Sequence, residues 1–233
     1  MDEDDRVQQS ERSSTTSARV AELIELGLDR EAAELAVAQS RSIDDARSRA
    51  QGEPMEVLDQ LDQLGPLLVA IVSGIQADQL DDPTPCAKFT VGGVLEHMIG
   101  GATMFAAAFR GVEPRQPDTT DVLAGFGPTL AGLADAMHSP GALDRTIPAP
   151  FGEVPGATFA RFVVLDGLVH GWDLAAATGQ PYEPPRALVA EVEAFARQAV
   201  EPLRDGDTFA AAAEPPPSAT PIQRLAAFTG RRL

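Results

Sequence analysis

The chain has 233 residues, and 35 Asp and Glu residues against 18 Lys and Arg residues give it a formal net charge of −17. Hydrophobic residues make up 44%, which is enough for a globular core. The acidic balance disfavours binding to nucleic acid or to an anionic membrane surface, since both partners require a basic face. The longest apolar stretch is too short to span a bilayer, the acidic start is unlike a secretion signal, and Cys86 alone excludes an internal disulfide. These features predict a cytoplasmic protein with no nucleic-acid or membrane partner.

The N-terminal part of the sequence divides into a tail and a small module. Residues 1–18 are acidic and polar without apolar periodicity, which predicts a disordered tail. Residues 19–52 carry three short stretches at helical spacing and predict a small helical module. The segments Leu26–Ala32 and Ile43–Ala46 together resemble a ubiquitin-associated-type three-helix module, and that resemblance implies a protein partner. A solvated helical hairpin is the alternative.

From Met55 the apolar pattern is helical almost throughout. Four substantial helices and accessory elements predict an all-α fold, a four-helix bundle over residues 55–205 with residues 206–233 as a C-terminal tail packed on it. Pro66 predicts an interruption or kink in the first helix. Residues 144–155 predict a loop or a small hairpin. The predicted helices span residues 54–75, 90–109, 118–138, 157–178 and 185–203, with a short amphipathic turn at 222–228.

Three histidines and one aspartate carry the candidate chemistry. His170 follows Asp166 by four residues, so both lie on one face of the same helix and can bind one ion together. His97, on another helix of the bundle, is the natural third ligand. Two imidazoles and a carboxylate suit Zn²⁺, Fe²⁺ or Ni²⁺. Three ligands leave coordination positions open on the metal, which suits a catalytic site better than a structural one. The alternative is an ordinary hydrogen-bonded Asp–His pair, while His138 at a helix end is interpreted as structural or solvated.

Other residues near these positions have two interpretations each. Cys86 is either a thiolate activated near a helix N-terminus or a small buried residue. Asp173 either orients a metal ligand or lies on the helix surface. Trp172 is interpreted as a core residue or a pocket wall. Arg161 is either a partner for a substrate carboxylate or a surface residue.

Several motifs together resemble one known family. The sequence resembles the actinobacterial metal-binding branch of the DinB-like superfamily, which is related to mycothiol-dependent maleylpyruvate isomerase, over about residues 55–233. The motifs are Pro83-Thr84-Pro85-Cys86, Leu95-Glu96-His97, Asp166 followed by His170-Gly171-Trp172-Asp173-Leu174-Ala175, Ala177-Thr178-Gly179-Gln180-Pro181 and the ending Ile222–Arg231.

The resemblance implies a DinB-like bundle in which His97, Asp166 and His170 bind a divalent metal, with zinc first and nickel or iron as alternatives. The better-characterised isomerase relatives have Glu in place of Asp166, and Trp is common in place of Phe89. The resemblance also implies mycothiol as a low-molecular-weight thiol cosubstrate that adds to a small electrophile, in an S-transferase or isomerase reaction. Two alternatives stay open. One is a non-catalytic metal- or ligand-binding bundle with a protein partner at residues 19–52, and the other is a specialised biosynthetic enzyme using the same pocket.

Overall fold

The computed structural model describes residues 54–149, 152–204 and 208–233. The tail predicted over residues 1–18 and the helical module predicted over residues 19–52 lie outside the described residues. The described residues are mostly helical, which confirms the all-α class. Their elements are α1 (Val57–Gly74), α2 (Val91–Arg110), α3 (Val122–Met137), β1 (Thr146–Ala149), β2 (Gly152–Pro155), α4 (Gly156–Thr178), α5 (Arg186–Ala199) and α6 (Pro221–Phe228), with 3₁₀ turns at Ala77–Gln79 and Glu201–Leu203.

Helix α4 is the central element of the bundle. It packs against α1 and α2 on one side and against α5 and α6 on the other, while α3 packs against α1 and α2. Most of its side chains between Phe159 and Ala175 are buried, with Arg161 exposed and Asp166 partly exposed. The short helix α6 buries Ile222 and Leu225 against this assembly. Most residues in the middle of α4 are therefore fixed in place by neighbouring helices.

Local signals in the sequence explain where the helices begin and end. The Thr90 hydroxyl accepts the Gly93 N–H at 3.2 Å and caps α2, as predicted. Gly179 ends α4 at φ +69°, a left-handed conformation that favours glycine. The predicted start of α3 at Asp118 is wrong. Asp118 instead accepts the Thr120 N–H in the preceding turn, and Asp121 caps the helix by accepting the Ala124 N–H at 3.0 Å.

Two prolines lie within or directly after helices. Helix α1 runs without interruption through Pro66, so the predicted break does not occur. Pro66 and Asp62 are both exposed, and water can satisfy the Asp62 carbonyl that the proline leaves without a donor. The single helix predicted over residues 185–203 is instead α5 followed by a 3₁₀ turn, because Pro202 lacks the N–H that would continue the α-helix.

A two-stranded hairpin leads into α4. Strands β1 and β2 pair antiparallel, with Ile147 opposite Val154, so the hairpin alternative predicted for residues 144–155 is confirmed. Ile147 is buried and anchors the hairpin to the core. The Gly156 N–H then donates to the Arg145 carbonyl at 2.6 Å at the first residue of α4. Over the described ranges, no helix is both long enough and apolar enough to cross a membrane.

Candidate metal centre

His97 projects from α2, and the loop before that helix supports its ring. The Phe89 ring stacks on the His97 ring, with centroids 5.1 Å apart and planes 26° apart. A hydrogen bond joins this loop to the start of α2, in which the Gly92 N–H donates to the Leu80 carbonyl at 2.8 Å. The Thr84 hydroxyl donates to the Phe89 carbonyl at 2.8 Å and fixes the aromatic residue in place. Phe89 therefore limits the orientations open to the His97 imidazole.

Helix α4 supplies the other two side chains of the group. The His170 Nε2 lies 3.4 Å from the Asp166 Oδ1, as their spacing of four residues predicts. The His97 Nε2 lies 3.5 Å from the same oxygen although it comes from another helix. One ligand atom from each of the three residues lies within 4.8 Å of the other two. The structure therefore brings together the three residues selected from the sequence, which we call the His–Asp–His group.

Asp173 holds the far side of the His170 ring. Its Oδ2 lies 3.0 Å from the His170 Nδ1, and its side chain is fully buried. In the tautomer that carries its proton on Nδ1, the Nε2 atom facing Asp166 keeps a lone pair that can bind a metal. Asp173 lies inside the protein, so the helix-surface alternative left by the sequence does not hold. Its contact with His170 is the kind that fixes the orientation of a metal-binding histidine.

Arg231 completes the chain of contacts. Its Nη2 donates to the Asp173 Oδ2 at 2.9 Å, and its Nη1 donates to the Thr229 carbonyl at 3.2 Å. Burial opposes the charged form, but the Asp173 carboxylate outweighs it and raises the pKa of Arg231. Sequence reasoning assigned no role to Arg231. The available signal was Asp173, because a carboxylate in an apolar helix requires a cation or donor nearby.

The electrostatics of the His–Asp–His group favour an ionised carboxylate. Hydrogen bonding to Asp166 raises the pKa of His97, against an opposing effect of partial burial. Burial alone would raise the pKa of Asp166, but the interactions with His170 and His97 and the charge of Arg231 lower it below its usual value. Asp166 therefore offers negatively charged oxygen at neutral pH, the form that binds cations.

Cys86, in the loop before α2, is not an activated thiolate. Burial raises the pKa of its thiol, and the positive charge of Arg231 only partly offsets that effect. The thiol form is thus favoured at neutral pH. Of the two interpretations open from the sequence, the structure favours the small, partly buried residue.

Three further residues selected from the sequence lie outside the His–Asp–His group. Trp172 is buried in the hydrophobic core. Arg161 is exposed, with its guanidinium carbon 5.9 Å from the centre of the Phe195 ring on α5. The His138 Nε2 lies 2.8 Å from the Asp62 Oδ1, so this histidine links the end of α3 to α1. Arg161 and His138 each have a named partner, and Trp172 is part of the core.

The family assignment follows from comparison with known proteins. Residues 61–175, the part that includes all of the His–Asp–His group, match the family described as "Mycothiol maleylpyruvate isomerase N-terminal domain". Proteins from two strains of Mycobacterium tuberculosis, both named only as uncharacterized, are 37% identical to the chain over 166 residues. That alignment covers 70% of this chain and 90% of each relative. The chain belongs to this family.

Membership of the mycothiol maleylpyruvate isomerase N-terminal domain family agrees with the helical bundle and with the resemblance based on the motifs. No solved structure matches the chain.

Proposed function

We propose that the chain binds one divalent metal ion, zinc first, through His97, Asp166 and His170. The observation that carries the proposal is the spacing of the donor atoms. Two donors bonded to a tetrahedral zinc at about 2.0–2.1 Å lie about 3.3 Å apart. The two His–Asp distances of 3.5 and 3.4 Å are close to that separation, and all three donor atoms lie within 4.8 Å of one another. Three protein ligands are typical of catalytic zinc sites, in which a further position stays open.

The proposed reaction is the addition or transfer of a low-molecular-weight thiol to a small electrophile. Mycothiol is the thiol that the family description names. When bound, the ion supplies Lewis acidity that lowers the pKa of a thiol and favours the nucleophilic thiolate. The contribution of the protein is positional. Asp173 orients His170, Arg231 fixes Asp173, and Phe89 stacks on His97. The side chains of His97 and Asp166 are 39% and 41% exposed, so a thiol and a second small molecule can reach them.

A thiol-consumption assay tests the proposal. Zinc-loaded full-length protein, mycothiol and an α,β-unsaturated aldehyde are the reactants, and thiol loss is followed with time. Asp166→Ala is expected to reduce the rate to that of the reaction without protein. His138→Ala is the matched control, because this histidine also contacts an aspartate but lies outside the His–Asp–His group, and its rate is expected to equal that of the wild type. Equal rates with and without wild-type protein would contradict thiol transfer to this electrophile class, and equal rates for wild type and Asp166→Ala would contradict a role for the group.

A further inference from the structure

An apolar cavity lies between α1, α2, α3 and α4 and reaches the His–Asp–His group. Its volume is about 40 Å³, more than the roughly 10–15 Å³ that a single water requires, so it can hold a small group. Large apolar side chains form most of its wall, among them Leu64, Leu68, Met98, Phe126 and Val163. Asp166 and Gly167 line it on α4 together with Val163, so the cavity and the candidate metal site share one residue, Asp166.

The polar groups of the cavity wall define what can occupy it. Asp166 is the one charged residue among those lining the cavity, and no Lys or Arg lines it. The Thr129 hydroxyl, the other side-chain polar group in the wall, already donates to the Gly125 carbonyl at 2.8 Å. A carboxylate or phosphate deep in the cavity would have no cation to balance its charge, and burying it would be costly. The occupant that fits is uncharged and apolar.

Small residues keep the cavity open. Gly65, Gly101 and Ala102 line it on α1 and α2, at positions where larger side chains would fill the space between the helices. No heavy atom outside the local helix lies within 4 Å of the position that a Cβ would take at Gly65. Apolar cores are usually filled by side chains, so the open space beside Gly65 is unusual for a core that only packs. It is therefore available to part of a ligand.

We propose that this cavity binds an uncharged apolar group, a short alkyl chain or a single aromatic ring, of the electrophile that reacts at the His–Asp–His group. The position of the reacting carbon rests on the proposed function, whereas binding of the apolar group does not. Because Asp166 lines both sites, a molecule that fills the cavity ends beside this carboxylate. The substrate class is thus a neutral electrophile with an apolar tail, and small dicarboxylates are excluded from the cavity.

Methyl NMR of the full-length chain tests binding directly. Hexanol is the neutral probe, and adipate, a dicarboxylate of the same carbon number, is the charged comparison. Hexanol is expected to change the chemical shifts of the methyl groups of Leu64, Leu68 and Val163 in a saturable way. Adipate is expected to leave the same signals unchanged in chelator-treated protein, in which it cannot bind through a metal ion. Hexanol is titrated before and after that treatment, so a failure of metal binding cannot be mistaken for a failure of the cavity.

Two threonines form a matched pair of variants. Thr129 and Thr103 are both half-buried, and each donates its hydroxyl to the carbonyl four residues earlier at 2.8 Å, but of the two only Thr129 lines the cavity. Thr129→Leu is expected to weaken hexanol binding at least about tenfold by filling the cavity, whereas Thr103→Leu leaves it unchanged. Leu130→Phe, also in the wall, provides a second cavity-filling variant if Thr129→Leu does not fold.

Three results would overturn the inference. They are no saturable hexanol binding, equal weakening in Thr129→Leu and Thr103→Leu, and shifts of the cavity methyl groups by adipate in the chelated protein. If hexanol binds as expected while the thiol assay shows no activity, the cavity proposal stands and the proposed reaction fails. The two proposals can therefore be separated experimentally.

Discussion

The buried ion pair between Arg231 and Asp173 leads to a large predicted effect on stability. The Asp173 side chain has no exposed surface and that of Arg231 is 12% exposed. Arg231→Ala would leave the carboxylate with the His170 imidazole as its partner among the described residues. Removing one member of a buried ion pair costs about 3–5 kcal/mol, because the other charge remains buried. We therefore expect Arg231→Ala to lower the free energy of unfolding by about 3–5 kcal/mol.

Urea denaturation measures this loss, with the fluorescence of Trp172 as the probe. Trp172 is the one tryptophan of the chain and precedes Asp173 in the sequence, so its emission reports the region that is altered. Arg197→Ala is the matched control. Arg197 pairs with Glu193 at the surface, where an ion pair of this spacing contributes about 0.3–0.5 kcal/mol. A loss in Arg231→Ala no larger than that in Arg197→Ala would refute the argument from burial.

Two further predictions concern pH and packing. In metal-free protein the pairing with Asp166 raises the pKa of His97 above its ordinary value of 6.5. The pairing therefore stabilises the fold fully below pH 6.5, and this stabilisation is lost as the pH rises through the higher pKa of the folded state. An NMR titration should show a His97 pKa above 6.5 that falls in Asp166→Asn, and an unchanged pKa in that variant would contradict the assigned cause. A Cβ at Gly171 would lie 2.6 Å from the Tyr182 hydroxyl, so Gly171→Ala should lower the free energy of unfolding, measured with urea, by about 1–3 kcal/mol. Gly100 has open space around its Cβ position, so the control Gly100→Ala should leave the free energy of unfolding unchanged or raise it by up to about 1 kcal/mol. Equal effects of the two variants would contradict this packing.

The features predicted well from the sequence depend on residues close together in the chain. The pairing of Asp166 with His170 follows from a spacing of four on a helix. The Thr90 cap and the glycine that ends α4 at residue 179 are also local signals. In each case the geometry of a single helix determines the contact, so no knowledge of the tertiary structure is required.

The features missed from the sequence depend on distant residues or on competing caps. The Arg231–Asp173 pair joins residues 58 positions apart, and helical periodicity contains no information on such a contact. The start of α3 was misplaced because two aspartates, Asp118 and Asp121, both fit the pattern of an N-cap. The cavity was not predicted either, because its walls come from four helices whose packing alone defines it.

Metal content tests the central claim most directly. Elemental mass spectrometry of purified, zinc-reconstituted full-length protein is expected to find about one equivalent of metal in the wild type and in His138→Ala. His97→Ala and His170→Ala are expected to lose the metal while their circular dichroism stays that of a folded helical protein. Metal retained in both of these variants would contradict the assignment of the ligands. A wild type that binds no metal after reconstitution would contradict the metal centre itself.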